Sequence, residues 1–308
     1  VTGPILSRSG YGEQSRFALR CLRAHEEKFD IYLIATNWGV TSWVYEDTEE
    51  RQWIDQLLAK TVMYQQQGGQ YDLSLQITIP NEWQPLAPVN VGYTAGIESD
   101  AIAPVWVEKS MQMDRIIVIS NHAKYGFENT SFQATNNKTG EVIEDFRCQT
   151  PVETVNYAVR NYDLEYEPLN LDLKHDFNFL AMAQMSPRKN LPNTIKWFVE
   201  EFRNEPIGLV VKMNKGDNST IDRNVCTQIL EQLLEEDKDR ECSVYILHGD
   251  MTAEEINALY NEPKIKAVVS IAHGEGFGLP LYEAVCNGVP VLAPDWGGQL
   301  DFLYAPVK

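Results

Sequence analysis

The sequence predicts an α/β protein with parallel sheets, on three observations. Short apolar runs alternate with segments of helical periodicity along most of the chain, and several of those runs are apolar without interruption. An unbroken apolar strand is buried on both faces, as when helices cover each side of a parallel sheet. The third observation is length: 308 residues suffice for two such domains of roughly 150 each.

The elements follow in chain order. "VTG" reads as a first strand cut short, "SGYGEQSRFALRCLRA" as a glycine turn entering a helix, and "FDIYLIATNWG" as a strand. "DTEERQWIDQLLAKTVMYQQQ" predicts a long helix capped by Asp47, with Trp53, Leu57 and Tyr64 near one face. "YDLSLQITI", "VNVGYT" and "RIIVIS" are further strands, and "NNKTGE" (136–141) is a hairpin tip between two extended segments. The acidic, aperiodic stretch "NYDLEYEPLNLDLKHD" (161–176) reads as a linker, dividing a domain over 1–165 from one over 166–308.

Beyond the linker the rhythm is clearer. "FNFLAMA" (177–183) is a strand, and "NLPNTIKWFVEEF" a helix with Pro192 in its first turn and Ile195, Phe198 and Phe202 at i, i+3, i+7. "IGLVVKM" (207–213) precedes a helix with Val225, Ile229 and Leu233 on one face. "CSVYILHG" (242–249) precedes "MTAEEINALY", where Thr252 and Glu255 form a capping-box pattern. "IKAVVSIAHG" (265–274) leads into "HGEGFGLPLYEAVCNGVPVLAPDWGG" (273–298).

Charge and composition exclude several classes. The net charge of −18 is spread evenly, with 22 acidic and 13 basic residues in each of 1–165 and 166–308. Such a field repels polyanions, so nucleic acid is not a predicted partner, while a local cationic pocket for one phosphate group stays compatible. The five cysteines are scattered and contain no C-x-x-C pair, which predicts neither a disulfide framework nor a zinc site and fits a reducing cytosol. No apolar run reaches about 18 residues, so no integral membrane segment is predicted, and the first residues lack the order of a secretory signal. His25, His122, His175, His248 and His273 show no metal-ligand spacing, and His273 reads either as lining the site by position or, preferably, as a hydrogen-bonded structural histidine. Neither a G-x-S-x-G elbow nor a phosphate-binding G-x-x-x-x-G-K-[ST] loop occurs. Neither a metal nor a cofactor is expected.

The stretch from His273 to Gly298 carries the most chemistry. Pro280 suits a first helical turn and Asn287-Gly288 a helix stop, which predicts a short helix over 279–287. Gly274, Gly276 and Gly278 precede it, where unpaired N–H groups and the positive dipole end favour an anion. Glu275 lies in the turn and Glu283 one turn into the helix, and a carboxylate there accepts hydrogen bonds from sugar or ribose hydroxyls. Spacing alone also admits two solvated charges at a helix start.

"GEGFGLPLYEAVCNGVPVLAPDWGG" resembles the E-x7-E signature of the retaining glycosyltransferases of family 4, enzymes of the GT-B fold with two facing Rossmann-like domains. Glu275 and Glu283 match both acids, Phe277-Gly278-Leu279-Pro280 the residues between, and Gly288-Val289-Pro290-Val291 the strand that follows. "AQMSPRKNLPNTI" is similar to the family's basic cluster after the first strand of the C-terminal domain, with Lys189 on the phosphate-binding lysine and Arg188 beside it. The family's common arginine six residues earlier is Ala183 here, which leaves Arg188 or Lys212 to supply the second cation.

"SGYGEQS" resembles the family's N-terminal glycine loop. Read alone, Gly10-x-Gly12-x-x-Ser15 also approaches a dinucleotide fingerprint lacking its third glycine, or is a plain tight turn. "YTAGIESDAIAPVWVEKSMQMDRIIVISNHAKYGF" (93–127) looks like the family segment whose second strand ends in serine, here Ser120. Where many members carry a histidine this chain has Gly96-Ile97-Glu98, and Glu98 either faces sugar or acceptor or caps the helix from 103.

The resemblance implies a retaining, metal-independent hexosyltransferase using a nucleoside-diphosphate sugar, with UDP and GDP both open, and a hydroxyl acceptor on a glycan, protein or small molecule. It implies that Glu275, Lys189 and Arg188 act in catalysis and that Glu283, Gly276, Phe277, Gly278, Leu279 and Gly12 bind the donor. Gly10, Tyr11 and Glu98 fall on the acceptor side. Two alternatives stay open: a nucleotide-sugar-binding protein without transfer, and another GT-B enzyme such as an epimerase or phosphorylase. Family members usually continue with further helices after the motif, so the end at Lys308 implies an incomplete C-terminal domain, as a fragment or as a minimal variant.

Overall fold

The computed structural model describes residues 1–135, 139–158, 165–237 and 239–304. The chain divides into two compact units, Val1–Ala158 and Val159–Lys308. Residues 161–164 of the expected linker and 136–138 of the expected hairpin tip lie outside the described residues.

The first unit contains β1 (Thr2–Gly3), α1 (Gly10–Arg23), β2 (Ile34–Ala35), α2 (Glu49–Gln66), β3 (Leu73–Ile77), β4 (Val89–Thr94), α3 (Pro104–Ser110), β5 (Arg115–Val118), α4 (Asn121–Asn129), β6 (Ser131–Thr135), β7 (Val142–Arg147) and β8 (Val152–Thr154). Six strands form one sheet in the order β2-β1-β3-β4-β5-β8, every pair parallel. β6 and β7 pair antiparallel as a separate ribbon, as the hairpin pattern predicts. The strand order reverses at β1, so α1, which follows β1, starts at a topological switch point of the sheet.

Three local expectations need correction. β2 is only two residues long and lies at the sheet edge, where the outward-facing Leu33 amide donates to Thr61 Oγ1 on α2 at 2.7 Å. The cap of α2 is Thr48, whose hydroxyl accepts from the Arg51 amide at 3.2 Å, while Asp47 accepts from the Gln52 side chain. The buried stripe of α2 is Ile54, Leu57 and Thr61, one position on from Trp53, and Tyr64 instead stacks on Tyr32.

The second unit contains β9 (Asn178–Gln184), α5 (Leu191–Phe202), β10 (Gly208–Asn214), α6 (Thr220–Leu233), β11 (Ser243–Leu247), α7 (Ala253–Tyr260), β12 (Ile265–Val269), α8 (Leu279–Cys286), β13 (Val291–Leu292) and α9 (Leu300–Leu303). Its sheet runs β11-β10-β9-β12-β13, all parallel. The two-residue period of a strand sorts the core. Ala181, Leu209, Val211 and Met213 pack against α5 and α6, and Leu180 and Val210 against α7 and α8. On α6 the buried stripe is Cys226 and Leu230 with Leu233 half-buried beside them, so the expected Val225 and Ile229 sit at its margin. The capping box of α7 forms as predicted, with Glu255 N to Thr252 Oγ1 at 3.2 Å and Thr252 N to Glu255 Oε2 at 2.8 Å.

The order 3-2-1-4-5 places the switch point of this sheet between β9 and β12. Ligands of open parallel sheets bind outside the carboxyl ends of the strands at such a point. The two loops that emerge there carry Arg188-Lys189 and Glu275.

Candidate active site

The loop after β9 and the loop after β12 are stitched together by both backbone and side chains. The His273 amide donates to Arg188 O at 2.8 Å, Arg188 Nη1 donates to Gly274 O at 2.8 Å, and Asn190 Nδ2 donates to Ile271 O at 3.2 Å. Asn190 adopts the left-handed region (φ 55°) that turns the chain into α5. These contacts fix which side chains meet at the switch point.

Lys189 Nζ lies 2.5 Å from Glu275 Oε1, and Arg188 Nη1 lies 3.4 Å from Glu275 Oε2. Glu275 is buried, with 8% of its surface exposed, so its charge needs such partners; a buried carboxylate without them carries a large desolvation penalty. Two cations on one carboxylate leave the cluster with a net positive charge. Lys212 is engaged elsewhere: its ammonium donates to Gly249 O at 2.7 Å, and burial pushes its pKa down. Of the two candidates for the second cation, Arg188 is therefore the one that shares Glu275 with Lys189.

α8 begins one turn beyond Glu275, with Gly278 as its N-cap in the left-handed region (φ 87°) and Leu279 and Pro280 in its first turn. The first amides of a helix have no intrahelical partner. Gly276, Phe277 and Gly278 lead directly into that end. The Phe277 ring is buried against Tyr282 and Phe302, 5.2 and 5.1 Å between centroids, so this residue anchors the turn and only its backbone faces the helix mouth. Glu283 is buried at 7% exposure, with the Tyr260 hydroxyl 3.4 Å from its Oε2 and 2.8 Å from Pro280 O.

Two contributors carried no signal that sequence spacing could use. Tyr260 reads as one more apolar position of α7, yet its hydroxyl holds both Glu283 and the start of α8. Gly298 ends the quoted motif, and its amide donates to Glu275 O at 2.7 Å. A Cβ at 298 would lie 1.9 Å from Gly276 O, so only glycine permits this approach. The adjacent Gln299 donates to Pro294 O and Trp296 O, closing the turn.

In the first unit, Gly10, Tyr11 and Gly12 form the opening turn of α1 itself; the expected glycine turn before the helix is replaced by Ser9, whose hydroxyl accepts from the Gly12 amide at 3.1 Å. A Cβ on Gly12 would meet Ser7 O at 1.9 Å, which is why a small residue stands there. The Tyr11 hydroxyl is 2.8 Å from Thr94 Oγ1 and accepts from the Ala95 amide at 3.1 Å, and the Tyr157 hydroxyl donates to Gly10 O at 3.2 Å. Burial pushes the Tyr11 phenol up to about 12, against the pull of the Thr94 and Ala95 hydrogen bonds; the Glu98 charge adds a smaller rise. Glu98 does not cap α3, whose N-cap is Ala103 without a side-chain hydrogen bond. Ser120 caps α4, accepting from the Ala123 amide at 3.1 Å. His273 is exposed, contrary to the structural role expected for it.

No helix among the described residues is long and apolar enough to cross a membrane, and all five cysteines are unpaired. No curated protein sequence matches the chain at a significant level. Solved structures do match. Anabaena Alr3699/HepE, in complex with UDP and glucose, aligns at 15% identity over 93% of this chain and 74% of its own, with a TM-score of 0.55. Sucrose-phosphate synthase from Thermosynechococcus elongatus aligns at 16% identity over 89% and 68%, also at 0.55. OtsA aligns at 11% identity and a TM-score of 0.54 over 83% of this chain, which spans 65% of the OtsA chain. Likeness at such identities is a likeness of fold, and the fold it shows is the α/β architecture of GT-B glycosyltransferases, with parallel sheets in two domains. Residues 170–304, which include Arg188, Lys189, Glu275 and Glu283, match the family model of Glycosyl transferases group 1.

Proposed function

We propose that the protein is a retaining glycosyltransferase that moves a hexose from a nucleoside-diphosphate sugar to a hydroxyl acceptor. The observation that carries this reading is the Lys189–Glu275–Arg188 cluster at the carboxyl edge of the second sheet, beside the N-terminal end of α8. The match of residues 170–304 to group 1 glycosyl transferases supports it. The family 4 assignment and the E-x7-E roles belong to the same proposal.

In this reading Glu283 holds the ribose and Glu275 the hydroxyls of the donor hexose, and the amides from Gly276 to Leu279 take sugar or phosphate oxygens. Negative charge builds on the diphosphate as its bond to the anomeric carbon lengthens. Lys189 and Arg188 neutralise that charge, and fixed cations of this kind need no metal to do so. The acceptor oxygen bonds to the anomeric carbon on the face the diphosphate leaves, and its proton passes to the departing phosphate. No protein nucleophile or general base is assigned. In the first unit, Gly10, Tyr11 and Glu98 are assigned to the acceptor as part of the same proposal.

A melting-temperature screen against UDP- and GDP-sugars tests the donor, with UDP-glucose first because the Anabaena relative holds UDP and glucose. Lys189→Ala is expected to lower turnover about 10²–10³-fold, the usual cost of removing one charge-stabilising donor. Added Mg²⁺ or Mn²⁺ leaves the rate unchanged. If no nucleotide sugar raises the melting temperature, the proposal fails. A second reading, donor binding without transfer, rests on Ala183 standing where the family commonly has arginine. Release of nucleoside diphosphate only when an acceptor is present, by wild type but not by Glu275→Ala, decides against it and against an epimerase or phosphorylase.

A further inference from the structure

One cluster apart from Glu275 gathers three different metal-ligating side chains. Asp222 and Cys226 stand at i and i+4 on one face of α6, and His248 directly follows β11. Their ligand atoms all lie within 4.8 Å of one another. His248 Nε2 is 2.9 Å and Cys226 Sγ 3.9 Å from the same oxygen, Asp222 Oδ2. The place is closed to solvent: Cys226 is fully buried, and the side chains of His248 and Asp222 are 3% and 10% exposed. Asp222 is held in position by the Lys215 amide, which donates to its carboxylate at 2.9 Å, and by Ser219, which caps its own amide. In the same loop Asn218 Oδ1 is buried and accepts no hydrogen bond among the described residues.

We propose that Asp222, Cys226 and His248 form a binding site for zinc or a similar divalent transition metal, a clamp tying α6 to the end of β11. Thiolate, imidazole and carboxylate are the donor set zinc takes. Tetrahedral zinc with ordinary bond lengths sets nitrogen and oxygen ligands about 3.4 Å apart and sulfur and oxygen about 3.6 Å apart. The observed 2.9 and 3.9 Å reach those spacings by shifts of under an ångström. On binding, the sulfur–metal bond forms as the thiol proton leaves to solvent, and the nitrogen–metal bond forms as the proton that His248 Nε2 shares with Asp222 passes through water to Nδ1, with no change of oxidation state. A thiol must lose its proton to bind the cation, so affinity rises with pH.

The test is a titration of the chelator-stripped full chain with Co²⁺, then Zn²⁺. We expect saturation at one equivalent, a thiolate-to-cobalt absorption band that zinc displaces, and a higher melting temperature with zinc. Cys226→Ser should abolish the band and weaken zinc by more than the roughly 10–100-fold that loss of an outer-shell partner costs. His248→Gln should weaken zinc as strongly, which keeps the test alive if circular dichroism finds Cys226→Ser unfolded. Cys148→Ser, in the other unit, should change neither. Absence of saturable Co²⁺ binding by the wild type, or a band that survives Cys226→Ser, would overturn the site and leave an Asp–His hydrogen bond beside a core thiol.

Discussion

At the scale of the residue, the two ends of the proposed reaction differ in how they are held. Lys189 and Glu275 hold one another by charge, whereas Tyr11 is held by burial and neutral hydrogen bonds. The Tyr11 phenol rises from its ordinary value of 10.0 to about 12 in the folded protein. Its proton is therefore bound more tightly in the native state, so this contribution to stability is intact below about pH 10 and is lost as pH climbs toward 12. Tyr11→Phe should flatten that part of the alkaline unfolding profile, measured by thermal midpoint from pH 8 to 12, and should raise the acceptor KM while leaving donor binding unchanged. Gly298→Ala should keep the fold by circular dichroism yet lose about 10²-fold in turnover, since a Cβ there displaces the Gly276 turn and a 1 Å misplacement has that cost. Lys189, Arg188, Glu275 and Glu283 were legible in the sequence because each sits inside a recognisable motif. Tyr260, Asn190 and the Asp222–Cys226–His248 group were not, because their partners come from segments that no local pattern connects.

At the scale of the element, the strands and helices of the second unit were readable because burial on both sheet faces leaves an unbroken apolar signal. Ile195 on α5 was placed on the core face by its spacing, and it is fully buried. Ile195→Ala should cost about 2–5 kcal/mol, read from denaturant unfolding of the intact chain. The errors concentrate at element ends. β2 is shorter than its apolar run, and the cap of α2 moved by one residue because Thr48 and Asp47 both can cap and the hydroxyl reached the Arg51 amide. On α6 an apolar count placed Val225 and Ile229 inward, but Cys226, small and buried, set the stripe. The start signal of α7, the Thr252–Glu255 box, forms as its spacing predicts.

At the scale of the whole molecule, each unit encloses its own cores, and residues 170–304 contain the matched family segment. A bound nucleoside diphosphate should add hydrogen-exchange protection at 186–190 and 271–283; protection confined to the first unit would contradict the assignment of the donor to the second. What pattern reading could not supply is the meeting of Lys189 with Glu275, 86 residues apart in sequence. It follows from the strand order, which sets β9 between β10 and β12. That order has a consequence on the ribosome. β9 is the centre of its sheet, yet one of its neighbours is made long after it, so for about 4–17 s of synthesis the middle strand has a bare flank. Nascent chains arrested before residue 265 should be more readily cleaved by protease and more prone to self-association than chains arrested after 304, because a finished centre strand without its partner is an adhesive edge.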